Sequence, residues 1–202
     1  MSRRVFAGVF VAVLVLSSVS GTGAAQTSDP EIPTSCSVQP VGMLSLLATL
    51  NDLDAARYEP PISSVSLSQV TPGASVSPED LEFIDFITTE LVGCMNSLQV
   101  FGAMALLTEQ FQSRLVLEVI EGDGLDAVVE QLPILATEAT ESQGIQAIPI
   151  RSAWYTDSGE KSIMAILEPV ASDPAAQRSF LVTYVFSIDR WLIDDVQLIT
   201  GN

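Results

Sequence analysis

The chain has 202 residues, with 25 acidic side chains against eight basic ones, a formal net charge of −17 and no histidine. Such an acidic molecule has no positive surface with which to displace the counterions of a nucleic acid or to settle on an anionic membrane, so both partners are excluded. The missing histidine removes Ser-His-Asp and Cys-His triads and His-based zinc sites, and two cysteines are too few for a thiolate zinc site. Any acid–base chemistry therefore falls to carboxylates, a tyrosine or Lys161, the only lysine. No metal and no cofactor are expected.

Residues 1–25 read as a secretory signal peptide. Arg3 and Arg4 form a basic start, Val5 to Leu16 an apolar run, and Gly23-Ala24-Ala25 a small-residue cleavage site. The apolar run is too short to span a bilayer, which needs about 20 residues. The pair Arg3-Arg4 suits either a general or a twin-arginine export route. Cleavage removes two arginines and no acid, leaving about 177 residues with a net charge near −19. A secreted or extracytoplasmic protein with two cysteines implies one disulfide, Cys36–Cys94. It closes a loop of roughly 58 residues, worth about 4 kcal/mol by chain entropy.

Residues 26–77 read as an extended N-terminal segment. It holds a polar, Pro-containing tail, a short apolar helix within 41–58, and a Ser/Pro-rich linker over 59–76. A compact domain is expected over 78–202. Its first helix opens with Ser77 as N-cap, Pro78 at the first helical position and Asp80 three residues after the cap. Ile84, Ile87, Leu91 and Leu98 then recur at helical spacing, with Cys94 beside that stripe. Residues 98–120 predict one or two further helices, and 124–132 a short one stopped by Pro133. The loop 121–124, Glu-Gly-Asp-Gly, lacks the ligand spacing of a calcium site and reads as a turn.

Beyond that the apolar period changes from helical to strand-like. Strands are predicted over 144–156, 161–171, 178–188 and 191–200, with tight hairpins at 157–160 and 187–190. Helices followed by a four-stranded antiparallel meander make an α+β plan.

This order, with "ELVGCMNSLQVFGAMALLTEQFQSRL" (90–115) and the last strand "DRWLIDDV" (189–196), resembles the nuclear transport factor 2-like superfamily, which includes SnoaL-type cyclases and ketosteroid isomerases. It looks most like exported bacterial members of unknown function. The resemblance covers roughly 78–202. It implies helices packed in the concave face of a curved antiparallel sheet, a cone-shaped roll with a pocket between helix and sheet. No catalytic residue of those enzymes aligns with this chain motif by motif, and such a fold serves enzymes and binding modules alike.

Four residues are candidates for the pocket. Asp194, in Trp191-Leu192-Ile193-Asp194-Asp195-Val196, shares a strand face with Leu192, Val196 and Leu198. Turned inward, it would have a raised pKa and is the one catalytic candidate; at the rim it would pair with Arg151 or Arg190. Trp154, Tyr155 and Tyr184 offer ring contacts and hydroxyl donors, or plug the core. The function expected is an exported, non-catalytic domain that binds a small apolar ligand or a protein partner, a second copy included. The alternative is a carboxylate-based cyclase, isomerase or dehydratase acting on a polycyclic or carbonyl substrate.

Overall fold

The computed structural model describes residues 33–51, 62–119, 148–156, 161–168 and 178–200. The segment read as a signal peptide (1–25), the helix expected at 124–132 and the hairpin expected at 157–160 lie outside these residues.

The elements in chain order are α1 (Met43–Asn51), β1 (Ile62–Ser66), a 3-10 turn (Leu67–Gln69), α2 (Pro78–Asn96), α3 (Val100–Met104), α4 (Glu109–Val119), β2 (Ile150–Tyr155), β3 (Ser162–Leu167), β4 (Phe180–Ser187) and β5 (Arg190–Thr200). The architecture is α+β, with one open, curved sheet in the order β1-β5-β4-β3-β2. The antiparallel meander β2 to β5 is as expected, but the sheet is mixed. β1 pairs parallel to β5, with Val65 beside Ile199. Residues 62–66 were expected in the linker. Three serines in five residues hide the strand signal, and the strand is held by backbone pairing to the exposed edge of β5 rather than by its own propensity.

α2 starts where its capping chemistry dictates. The Ser77 hydroxyl accepts the backbone N–H of Asp80 at 3.1 Å, and Pro78 occupies the first turn, where its missing N–H costs nothing. The helix buries Ile84, Ile87, Thr88 and Val92 on one face. That face meets Ile163, Val182, Tyr184 and Ile193 from the sheet, and Phe111 and Leu115 of α4 complete the core. Ile84, Val92, Ile163 and Tyr184 are wholly buried, so the helix–sheet interface is filled by side chains. A positive φ of 60° at Leu98 ends the α2 turn, and Gln99 N–H closes on the Cys94 carbonyl at 2.8 Å.

Cys36 and Cys94 form the expected disulfide. It fastens the segment from Pro33 along α2, where Asn96 donates to the Pro33 carbonyl at 2.7 Å and Glu90 accepts from both the backbone and the hydroxyl of Ser37. Gly102 is required beside it, because a Cβ there would lie 2.5 Å from the Cys36 sulfur. Among the described residues no helix is long and apolar enough to cross a membrane.

Candidate functional site

Two places among the described residues gather polar and aromatic chemistry. The first is Asp80, at the third position of α2 and only 7% exposed. Its Oδ1 accepts from Lys161 Nζ at 2.9 Å and from Trp191 Nε1 at 3.2 Å. Its Oδ2 accepts from the Tyr155 hydroxyl at 2.5 Å and from the Ser77 hydroxyl at 3.0 Å. The Tyr155 oxygen in turn accepts the Ser77 N–H at 3.2 Å, taking the place that the third-position side chain fills in a reciprocal capping box. The helix start is thus capped from the sheet.

Lys161, half exposed, lies over the rings of Phe186 and Trp191 at 4.8 and 5.1 Å from their centroids. Burial pushes the Asp80 carboxyl up, but the donors Tyr155, Lys161, Ser77 and Trp191 together outweigh it and hold the group down at about 2. The hydrogen bond to Asp80 raises the Lys161 pKa. A carboxylate with both oxygens doubly occupied and a pKa near 2 cannot collect a proton at neutral pH, so this cluster is an anchor and not a general base. It joins α2 to β2, to Lys161 at the start of β3, and to β5.

Asp194 and Asp195 sit at a bulge in β5. Tyr184 faces Ile193 and Thr183 faces Asp195, which leaves Asp194 without a partner across β4. Asp194 accepts from the Thr108 hydroxyl at 2.7 Å, and Thr108 Oγ1 accepts the Phe111 N–H at 3.2 Å at the start of α4. Asp195 pairs with Arg114 at 3.0 Å, and Arg114 also donates to the Asp194 carbonyl. Neither arginine expected as a rim partner of Asp194 reaches it in these contacts: Arg151 binds Glu168. Tyr184 is wholly buried, shares a 2.7 Å hydrogen bond with Thr88, and is pushed far up in pKa by burial. Of the four pocket candidates, then, Tyr184 lies in the core and Asp194 at a helix start.

The other two, Trp154 and Tyr155, lie at the second place. Strand alternation puts Tyr155 and Ala153 on the helix-facing side and Trp154 on the opposite face. The chain leaving β1 crosses that opposite face over 67–75 to reach the free edge of β2. There Ser75 bridges Trp154, and Tyr155 N–H donates to the Ala74 carbonyl at 2.8 Å. Gly73 sits so close that a Cβ would come within 2.0 Å of the Tyr155 carbonyl oxygen, so no other residue allows this approach. The crossing leaves a groove on each side. The larger, about 360 Å³, has Trp154, Met164 and Leu181 among its apolar walls and Gln69, Thr71 and Gln197 among its polar ones. The smaller, about 280 Å³, adds Leu67, Pro72 and Ile166. Trp154, Val70 and Gly73 belong to both.

No family model, curated protein or solved structure matches this chain. Among the described residues no three His, Cys, Asp or Glu side chains are grouped to hold a metal ion.

The sequence singled out Trp154 and Tyr155 but not Asp80 as more than a helix-start residue. The available signal was Lys161: a single lysine in so acidic a chain, placed where a strand begins, is expected to have a carboxylate partner.

Proposed function

We propose that this protein is an exported, non-catalytic binding domain of nuclear transport factor 2-like architecture, whose ligand site is the groove between the crossing segment 67–73 and the outer face of the sheet. The single observation that carries the reading is that groove of about 360 Å³, walled by Trp154, Met164 and Leu181. Its size falls at the lower end of small-molecule sites, about 300–1,000 Å³. The helix–sheet interface, where a cone-shaped roll would keep its pocket, is occupied by Ile84, Ile163 and Tyr184, all wholly buried. The alternative of carboxylate catalysis is disfavoured because Asp80 is saturated with donors and Asp194 serves the start of α4. The disulfide and the signal-like start support export.

The test is to purify the protein natively from the medium of an expressing cell, extract it under denaturing conditions and analyse the extract by mass spectrometry. A small molecule in stoichiometric amount, absent from a Val70→Trp variant whose groove is filled, is the expected result. An identical extract from both proteins refutes the site.

A further inference from the structure

The chemistry of the groove restricts what it can hold. We infer that it takes a small, electrically neutral, mostly apolar molecule of one or two rings carrying a carbonyl, hydroxyl or amide group; this rests on the groove being the ligand site. Among the described residues none that lines it is charged, although the chain carries 25 acids. The ion pairs among the described residues, Asp80–Lys161, Arg114–Asp195 and Arg151–Glu168, are made by residues outside that lining. A cation entering the groove would leave water without a carboxylate to meet it, which is costly. An anion would face the same lack of a partner and, in addition, the field of a chain with net charge −17. A neutral guest meets neither penalty.

The polar groups present suit such a guest. Gln197, half buried on β5, makes no hydrogen bond to the described residues through its side-chain amide, so a donor and an acceptor stand free at the wall. Thr71 places a hydroxyl on the crossing segment. Gln69 uses its oxygen on the Ser66 N–H at 3.3 Å, leaving its amide hydrogens available. Opposite these, Trp154, Met164 and Leu181 supply a flat and a deformable apolar wall. Trp154 and Leu181 are nearly covered, at 5% and 3% exposed, so a guest meets their edges and the half-buried Met164 thioether. A volume of about 360 Å³ admits one or two fused rings and not a long lipid chain.

Two bicyclic fluorescent dyes that differ in charge test this: neutral 2-naphthol, which carries a hydroxyl, and anionic naphthalene-2-sulfonate, each titrated by fluorescence into the full mature chain. The neutral dye is expected to bind one site at least tenfold more tightly than the anionic one. Val70→Trp and, independently, Thr71→Trp are expected to weaken the neutral dye at least tenfold, each checked for unchanged thermal unfolding. Gln197→Leu, which leaves the groove open, is expected to weaken it severalfold through loss of the amide alone. If the anionic dye binds as tightly and is equally displaced by the tryptophan variants, the neutral class is wrong while the site stands. If neither tryptophan variant alters neutral-dye binding, or no dye binds, the site itself is wrong.

Discussion

Replacing Asp80 by Asn tests the anchor at the start of α2. Asn has the shape of a protonated Asp and removes the charge that Lys161, Trp191, Tyr155 and Ser77 all address. The folded carboxyl sits at about 2 against an ordinary value of 3.8. At about 1.4 kcal/mol per pKa unit the whole shift corresponds to about 2 kcal/mol. Lys161 stands half in water, and solvent screens its share, so about 1–2 kcal/mol is expected at neutral pH. Because the folded pKa lies below the unfolded one, this stabilisation is complete above about pH 5 and drains away as the pH falls through 3.8 towards 2. Thermal unfolding of the wild type and Asp80→Asn, followed by circular dichroism from pH 7 to pH 3, should show the variant melting about 2–8 °C lower at pH 7. The gap should hold down to about pH 5 and narrow below it. Glu79→Gln, one residue away and exposed, should show no comparable gap. A gap that is constant with pH, or a variant more stable than the wild type at pH 7, refutes the assignment of Asp80 as a paired, ionised anchor.

Ile188, 87% exposed and β-branched, holds a positive φ of 52° in the β4–β5 turn beside Asp189 at 59°. Ile188→Asn or Ile188→Gly should raise stability by about 1 kcal/mol in chemical denaturation, since both residues tolerate that region and two-residue hairpin turns favour them. Mass spectrometry of the unreduced mature chain should read two hydrogens lighter than the free thiols, and Cys36→Ser should cost about 2–5 kcal/mol of unfolding free energy. Gly73→Ala, whose Cβ meets a backbone carbonyl, should cost about 1–3 kcal/mol and increase proteolytic cleavage within 67–75. Asp195→Asn should cost about 1–3 kcal/mol by leaving Arg114, 12% exposed with its Nε already unpartnered, short of a carboxylate; Asp194→Asn, which keeps an acceptor for Thr108, should cost under about 1 kcal/mol. The reverse ranking would contradict the bulge geometry.

Local signals carried well from sequence to structure. The cap at Ser77, the helical stripe through Ile84 and Ile87, the β4–β5 turn and the Cys36–Cys94 pairing all depend on residues close in the chain or on a choice with one answer. What was illegible is non-local. β1 is a strand because β5 has a free edge, and nothing in Ile-Ser-Ser-Val-Ser says so. Asp194 was placed on its face by regular strand alternation, in which it and Asp195 point opposite ways. The bulge that spends one acid on the start of α4 and pairs the other with Arg114 depends on residues 106–108 running beside β5, where Thr108 N–H meets the Ile193 carbonyl at 2.8 Å. Likewise the donors to Asp80 from Tyr155, Lys161 and Trp191 come from 75, 81 and 111 residues away.

The two polar places differ in how much of their hydrogen-bonding capacity the protein itself uses. Every acceptor direction of Asp80 is filled by the protein, so a ligand there would have to break a charged hydrogen bond to make one, with no net gain. The Gln197 amide has no such bond among the described residues and stands half buried beside apolar walls, where a neutral partner would gain a hydrogen bond. Tyr155 links the two. Its hydroxyl serves Asp80 while its backbone holds Ala74 against the sheet. The anchor therefore fixes the crossing segment that roofs the groove, and a saturated carboxylate on one face of the sheet sets the shape of an unsaturated site on the other.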